Sequence, residues 1–269
     1  MKNFKIKTYR IFSKKVLREH GIRLAFLSDL HGLCYGEENC RLVQAVEDAR
    51  PDAVLAGGDM MVGEPAPCLE AARALFLSLA EKFPVYYAFG NHERRLMENP
   101  EKYGHEFREF CGLLESQGIR ILRNECATLK SRDGTPLSIW GWDGERRFYK
   151  RLVTEPMEPG YLKETLGSPG GSAYHILMAH TPQYGQAYFS WGADLTLCGH
   201  YHGGIWRFSE NRGLAAPNFH VFPKYCCGLF SRGERHMVVS AGLGEHTIKL
   251  RIRNPRELII VEIVHGGDE

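Results

Sequence analysis

Ile22-Arg23-Leu24-Ala25-Phe26-Leu27-Ser28-Asp29-Leu30-His31 is a nearly unbroken apolar run that stops at an aspartate and a histidine. A strand with one wet face alternates apolar and polar side chains. A run that is apolar at both parities belongs to a strand covered on both faces. The same arrangement recurs down the chain. Ala53 to Ala56 leads into Gly57-Gly58-Asp59, Val85 to Phe89 into Gly90-Asn91-His92-Glu93, Ile176 to Ala179 into His180, and Leu195 to Cys198 into Gly199-His200-Tyr201-His202-Gly203-Gly204. Between the first runs, Leu42, Val43, Val46 and Ala49 recur at helical spacing in Cys40 to Arg50, closed by Pro51. Leu69 to Phe83 repeats that pattern ahead of Pro84. Strand, site residue, helix, strand is the rhythm of an α/β fold with its ligands at the carboxyl ends of strands.

Taken singly, each cluster has a plain reading: a turn, a tight bend, a helix cap, a satisfied strand-end histidine. Taken together they describe a site for two metal ions. Such ions, held about 3.5–4 Å apart, need a carboxylate between them, and Asp59 is the natural bridge. Histidine nitrogen and aspartate oxygen suit Zn, Fe or Mn, and the lack of thiolates argues against a structural zinc knot.

The blocks Asp-x-His, Gly-Asp, Gly-Asn-His-Glu, a lone His and Gly-His-x-His stand here in that order. They resemble the signature of the calcineurin-like metallophosphoesterase superfamily, over about Leu24 to His202 and more weakly to about Val264. The wording Ser28-Asp29-Leu30-His31 and Gly199-His200-Tyr201-His202-Gly203-Gly204 is most similar to the bacterial branch of YkuE- and YaeI-type phosphodiesterases. That branch also contains pyrophosphatases of the lipid A pathway. The resemblance implies a four-layer αββα sandwich. It assigns Asp29, His31, Asp59 and His202 to one metal, and Asp59, Asn91, His180 and His200 to the other. His92 is then the catalytic non-ligand histidine, and a metal-bridged hydroxide attacks a phosphodiester or pyrophosphate bond. Glu93 either orients His92 or merely opens a helix, where acids are favoured. Trp142, Asp143 and Tyr201 are the candidate substrate contacts. Two departures separate the chain from its branch: Tyr201 stands where a small residue is common, and Lys249-Leu250 precede Arg251 where a proline is usual.

The chain has 269 residues, read as one domain over 1–269, and a formal net charge of +2 that gives no global pull toward nucleic acid. Eight cysteines without a Cys-x-x-Cys pair read as buried thiols in a reducing compartment. No stretch approaches the roughly 20 apolar residues that cross a bilayer. The amino-terminal lysines are followed by no apolar signal region, so the expected location is cytoplasmic. Residues 2–18 mix Lys2, Lys5, Lys7, Arg10, Lys14, Lys15 and Arg18 with Phe4, Ile6, Tyr9, Ile11 and Phe12. Their alternation reads first as an edge strand, with peripheral contact at an anionic inner-membrane face as the competing reading.

Further on, the patterns predict a helix over Glu106 to Gln117 and strands over Ile119 to Leu122, Ala127 to Leu129 and Leu137 to Gly141. Residues 143–172 read as a polar surface excursion. Closing strands are expected over Met237 to Ala241, His246 to Ile252 and Leu258 to Val264. The expected partner is a phosphorylated small molecule or a lipid-linked substrate. A phosphomonoesterase or nuclease of the same fold is the neighbouring reading. A non-catalytic scaffold would show a replaced ligand, and none is replaced.

Overall fold

The computed structural model describes residues 2–17, 21–62, 68–103, 105–150, 155–214, 222–245 and 250–266. The chain first lays down β1 (Lys5–Ser13), β2 (Ile22–Leu27), α1 (Cys40–Ala49), β3 (Ala53–Ala56), α2 (Glu70–Ala80), β4 (Val85–Ala88), α3 (Asn91–Glu98), α4 (Pro100–Tyr103), α5 (Glu106–Ser116) and β5 (Arg120–Leu122). It continues with β6 (Glu125–Lys130), β7 (Pro136–Trp142), α6 (Tyr161–Leu166), β8 (Tyr174–Ala179), α7 (Gly185–Trp191), β9 (Leu195–Cys198), β10 (Gly228–Arg232), β11 (Arg235–Val239) and β12 (Glu257–His265). Two six-stranded sheets result, ordered β1-β12-β2-β3-β4-β5 and β10-β11-β9-β8-β7-β6. The central strands β2, β3 and β4 pair in parallel, as do β7, β8, β9 and β11. Their carboxyl ends therefore open on one edge of each sheet.

Alternation along the central strands shows why they are apolar at both parities. Ile22, Leu24 and Phe26 of β2 face a core shared with Ile139, Ile176, Met178 and Leu197 of the other sheet. Ala25 and Leu27 face a second core built with α1, α2 and α5, through Leu42, Leu75, Phe76 and Phe110. On β8, Leu177 and Ala179 turn to a third core with Leu162, Tyr188 and Phe189 of α6 and α7. Helices, sheet, sheet, helices is the expected four-layer α/β sandwich. Burying one such side chain contributes about 1.5–3 kcal/mol, so β2 is held by two cores at once.

Within the 2–18 segment, Lys5–Ser13 forms the edge strand β1, paired in parallel with β12 from Lys5↔Glu257 to Ser13↔His265, and Arg18 lies outside the described residues. Three expectations need correction. The 143–172 excursion contains a 3₁₀ turn over Arg146–Tyr149 and helix α6, and buries Asp143, Phe148 and Leu162. Its aromatic side chains, interspersed with charges, conceal a core contribution. The cysteines, all free, are divided: Cys111, Cys198, Cys226 and Cys227 are buried, while Cys34, Cys40, Cys68 and Cys126 are exposed. Strand β10 was not foreseen, because Leu229 and Phe230 are followed directly by polar residues. The strand expected over His246 to Ile252 lies partly outside the described residues.

Candidate metal centre

The loops after β2 and β3 run side by side beyond the strands. Asp29 N donates to Gly58 O at 2.9 Å, His31 N to Asp59 O at 3.1 Å, and Gly32 N to Met60 O at 3.1 Å. Along this seam Asp29, His31 and Asp59 take φ of 52°, 48° and 53°, and across the cleft His200 and His202 take 66° and 50°. Aspartate and histidine tolerate the left-handed region better than most residues. The conformation still costs about 1–3 kcal/mol each and persists only where the surroundings over-determine it. Here the unusual backbone angles belong to the histidines themselves, and not only to the glycines that bracket them. Gly199 is needed for a different reason: a Cβ there would lie 2.2 Å from Asp29 Oδ2. Without one, the His200 N–H reaches both Asp29 carboxylate oxygens, at 3.0 and 3.1 Å.

Glu93 settles between its two readings by doing neither alone. Buried at the start of α3, it accepts from Asp59 N at 2.8 Å, Met60 N at 2.7 Å, Gly90 N at 2.9 Å and Tyr87 Oη at 2.8 Å. It thus ties the Asp59 loop to the end of β4. Burial, and next the charge of Asp59, push its carboxyl up to about 7, against these donors.

The side chains converge at the carboxyl ends of both sheets. Three sets of donor atoms each lie within 4.8 Å of one another: Asp29-His31-His202, His31-Asp59-His92 and Asp59-His180-His200. Asp59 Oδ2 has His180 Nε2 at 3.1 Å and the Nε2 atoms of His31 and His92 at 4.0 Å. Asp29 Oδ1 has His202 Nε2 at 3.3 Å and His180 Nε2 at 3.8 Å. His31 Nε2 and His202 Nε2 approach to 3.1 Å. His180 Nδ1 donates to Gly57 O at 2.7 Å, which leaves Nε2 as the lone-pair nitrogen of the neutral ring, turned into the cluster. Asn91 Oδ1 is buried with no hydrogen-bond partner among the described residues. These are oxygen and imidazole donors converging on buried space, and an orphaned amide oxygen beside them; they fit divalent cations.

The electrostatics have the same sense. Burial pushes Asp29 up to about 6, against the pull of His180. Burial also works on Asp59, but the charges of His180 and His92 overcome it and hold that carboxyl well below its usual range. Burial opposes a charge on His180, yet Asp59 and then Asp29 raise it to about 10. In the cation-free protein, protonated histidine balances the buried carboxylates.

His92 is placed differently from the other rings. Its side chain is 17% exposed, against 0–7% for His31, His180 and His202. Its backbone N–H donates to Asp59 Oδ1 at 2.9 Å. Trp142 is not a pocket wall. Its ring is fully buried among Phe148, Tyr161, Tyr184 and Tyr188, because the even residues of β7 face the helix-side core. Asp143 is buried and its carboxylate is taken by Arg94 at 3.1 Å and Arg123 at 2.9 Å, so it offers no free oxygen to a ligand. Arg94 accordingly ties α3 to the residue that follows β7. Tyr201 is buried and its hydroxyl donates to Gln183 Oε1 at 3.3 Å.

Three residues at the site were given no role by the sequence. The Tyr149 ring packs 5.4 Å from His200, and its hydroxyl is buried without a partner among the described residues. Asn254 Nδ2 donates to the carbonyls of His202 and Gly204. Arg251 donates to the carbonyls of Ala241 and Gly244 and brings Nη2 within 3.2 Å of His202 Nδ1. Two further histidines that the sequence places in loops near the closing strands, His220 and His246, lie outside the described residues.

The model of the calcineurin-like phosphoesterase family matches residues 22–204, which span every one of these corners except the Arg251 and Asn254 supports. The chain belongs to that family. It is a metal-dependent phosphoester hydrolase that uses divalent metal ions. Phosphodiesterase YaeI of Escherichia coli is 27% identical over 250 residues, covering 90% of this chain and 82% of that one. An uncharacterized metallophosphoesterase of Aquifex aeolicus is 25% identical over 281 residues, covering 98% and 93%. The uncharacterized metallophosphoesterase YkuE of Bacillus subtilis is 23% identical, covering 89% and 78%. Among the described residues, no helix is long and apolar enough to cross a membrane.

Proposed function

We propose that the chain is a dinuclear phosphohydrolase that cleaves a phosphodiester or pyrophosphate bond in a small-molecule or lipid-linked substrate. The observation that carries this reading is the sharing of Asp59. It belongs to two of the three donor sets, and its Oδ2 is the oxygen that His180, His31 and His92 all approach. Asp29, His31, Asp59 and His202 would hold one ion, and Asp59, Asn91, His180 and His200 the other. Mn, Fe and Zn all suit this donor set. When bound, such ions supply Lewis acidity toward phosphate oxygens and a nucleophilic water near neutral pH.

The chain's own residues supply the remainder. His92, the ring nearest solvent, donates a proton to the leaving oxygen as the phosphorus–oxygen bond breaks. It recovers a proton from the water consumed. The backbone N–H of His92 donates to the Asp59 carboxylate, which anchors the residue at the metal site while its imidazole stays accessible. A diester is favoured over a monoester because one of the relatives, YaeI, bears the name phosphodiesterase.

The test is metal content and hydrolysis of bis-p-nitrophenyl phosphate by the metal-reconstituted protein, with Asp59→Asn and His92→Ala. Two ions per chain are expected in the parent and fewer in Asp59→Asn. His92→Ala should keep both ions and lose about 10²–10⁴-fold in kcat, the usual contribution of a general acid. A single ion per chain, or full activity in Asp59→Asn, would contradict the dinuclear reading.

A further inference from the structure

Two short extended segments flank the metal centre on the side of β1, and their polarity is inverted. Residues 205–208 and 250–252 pair through a parallel bridge at Trp206↔Ile252, with Ile252 N donating to Ile205 O and Arg207 N to Ile252 O. In extended chain, alternate side chains point to opposite sides. Here the arginines point inward: Arg207 is 8% exposed and pairs with buried Glu257 at 3.3 Å, and Arg251 reaches toward His202. Trp206, Phe208, Leu250 and Ile252 point outward. Phe222 packs edge-on against Phe208 with ring centroids 6.1 Å apart, and Ile6 of β1 joins Phe208 in lining one cleft. These six side chains are 41–63% exposed, and they are six of the eight large hydrophobic residues exposed among the described residues. Water alone does not select such a face.

The cations between them say what covers it. Two adjoining shallow clefts, of about 540 and 380 Å³, share Lys5, Arg253 and Pro255. The acidic groups of this face are engaged: Glu210 with Lys7, Glu245 with Lys2 and Arg256, and Glu257 with Arg207. Lys5 and Arg253 are exposed, and neither has an ion-pair partner among the described residues. Arg253 also holds φ at 52°, a left-handed angle that turns the chain there without a glycine. Unpaired cations set among outward aromatic and aliphatic side chains match one surface chemistry: anionic lipid headgroups above an acyl interface. We propose that this face, built from β1 and residues 205–208, 222 and 250–253, docks the protein on an anionic bilayer, with the metal centre beside the contact through Arg251 and Asn254. The edge strand β1 contributes to this face without forming it alone. The inference stands apart from the metal chemistry.

The test is flotation of the full chain with vesicles of phosphatidylcholine, with and without about one-third phosphatidylglycerol, at moderate salt. The protein should float with the anionic vesicles at least about tenfold more than with the neutral ones, and the Trp206 emission should shift to the blue. Lys5→Glu/Arg253→Glu should abolish the preference, and Phe208→Ser/Ile252→Ser should weaken binding to both. Each should keep the parent's circular dichroism and its hydrolysis of a soluble diester. Trp206→Phe should remove the spectral shift. Equal flotation with both vesicles, unchanged binding by the charge-reversed variant, or binding to a single-stranded oligonucleotide in place of vesicles would overturn the proposal.

Discussion

The two sheets furnish their halves of the metal centre in different ways. The first sheet supplies both carboxylates, and its corners are fastened to one another: the loops after β2 and β3 share a backbone seam, and Glu93 gathers the Asp59 loop to the end of β4. The second sheet supplies His180, His200 and His202, and those are fastened from outside. His180 is held by Gly57 O, His200 by Asp29, and the carbonyl of His202 by Asn254 of the closing segment. The lesson is that Asp29 and Gly57 of the first sheet orient the histidines of the second. Damage to the first half should therefore spread to both of the proposed ions, while damage to the His202 support should stay with one.

Gly199→Ala is the strongest way to break this arrangement. The added Cβ would displace the Asp29 carboxylate, and with it the His200 N–H that both oxygens accept. Misplacing such groups by about 1 Å costs roughly 100-fold, so diester hydrolysis should fall at least that far and His31, His200 and His202 should all lose order. Unchanged activity would mean that the second half stands by itself. Glu93→Gln comes next. An amide cannot accept from all four donors, so a buried donor is left facing an NH₂ group, and affinity for both ions should drop by about 10–100-fold. A titration showing loss of one ion alone would sharpen the comparison in the opposite sense.

Proton competition tests the electrostatic link between the halves. His180 is raised to about 10 by Asp59 and Asp29, in spite of burial. Below that pH the metal-free ring is protonated, so taking up a cation releases a proton. Apparent affinity should rise about tenfold per pH unit between pH 7 and 9. A flat profile would show that His180 ligates without losing a proton and that the carboxylates do not govern it. Asn254→Ala has the smallest expected effect. It frees the His202 and Gly204 carbonyls, and it should weaken one ion by about tenfold and leave the other unchanged, read as two separated transitions in a metal titration.

The central strands and the corners where Asp29, His31, Asp59, His180, His200 and His202 gather were legible because each corner follows a run apolar at both parities, and such runs end at buried strand tips. Glu93 was half legible. Its place in a first helical turn is visible in sequence, but an acid that caps a helix and one that accepts from a neighbouring loop look the same. Trp142 and Asp143 misled because an aromatic-acid pair at a strand end can turn to either side, and only the register of β7 against β8 decides it. Tyr149 lay hidden in a segment whose charges dominate. The outward apolar residues at 206, 208, 250 and 252 were illegible for a related reason: period-two alternation fixes that two faces differ, not which one meets solvent.

The most direct measurement is anomalous diffraction from crystals of the full chain soaked in zinc. The account predicts two peaks about 3.5–4 Å apart, with a carboxylate oxygen of Asp59 within about 2.0–2.2 Å of each. A single peak, or two peaks that do not share Asp59, would contradict it.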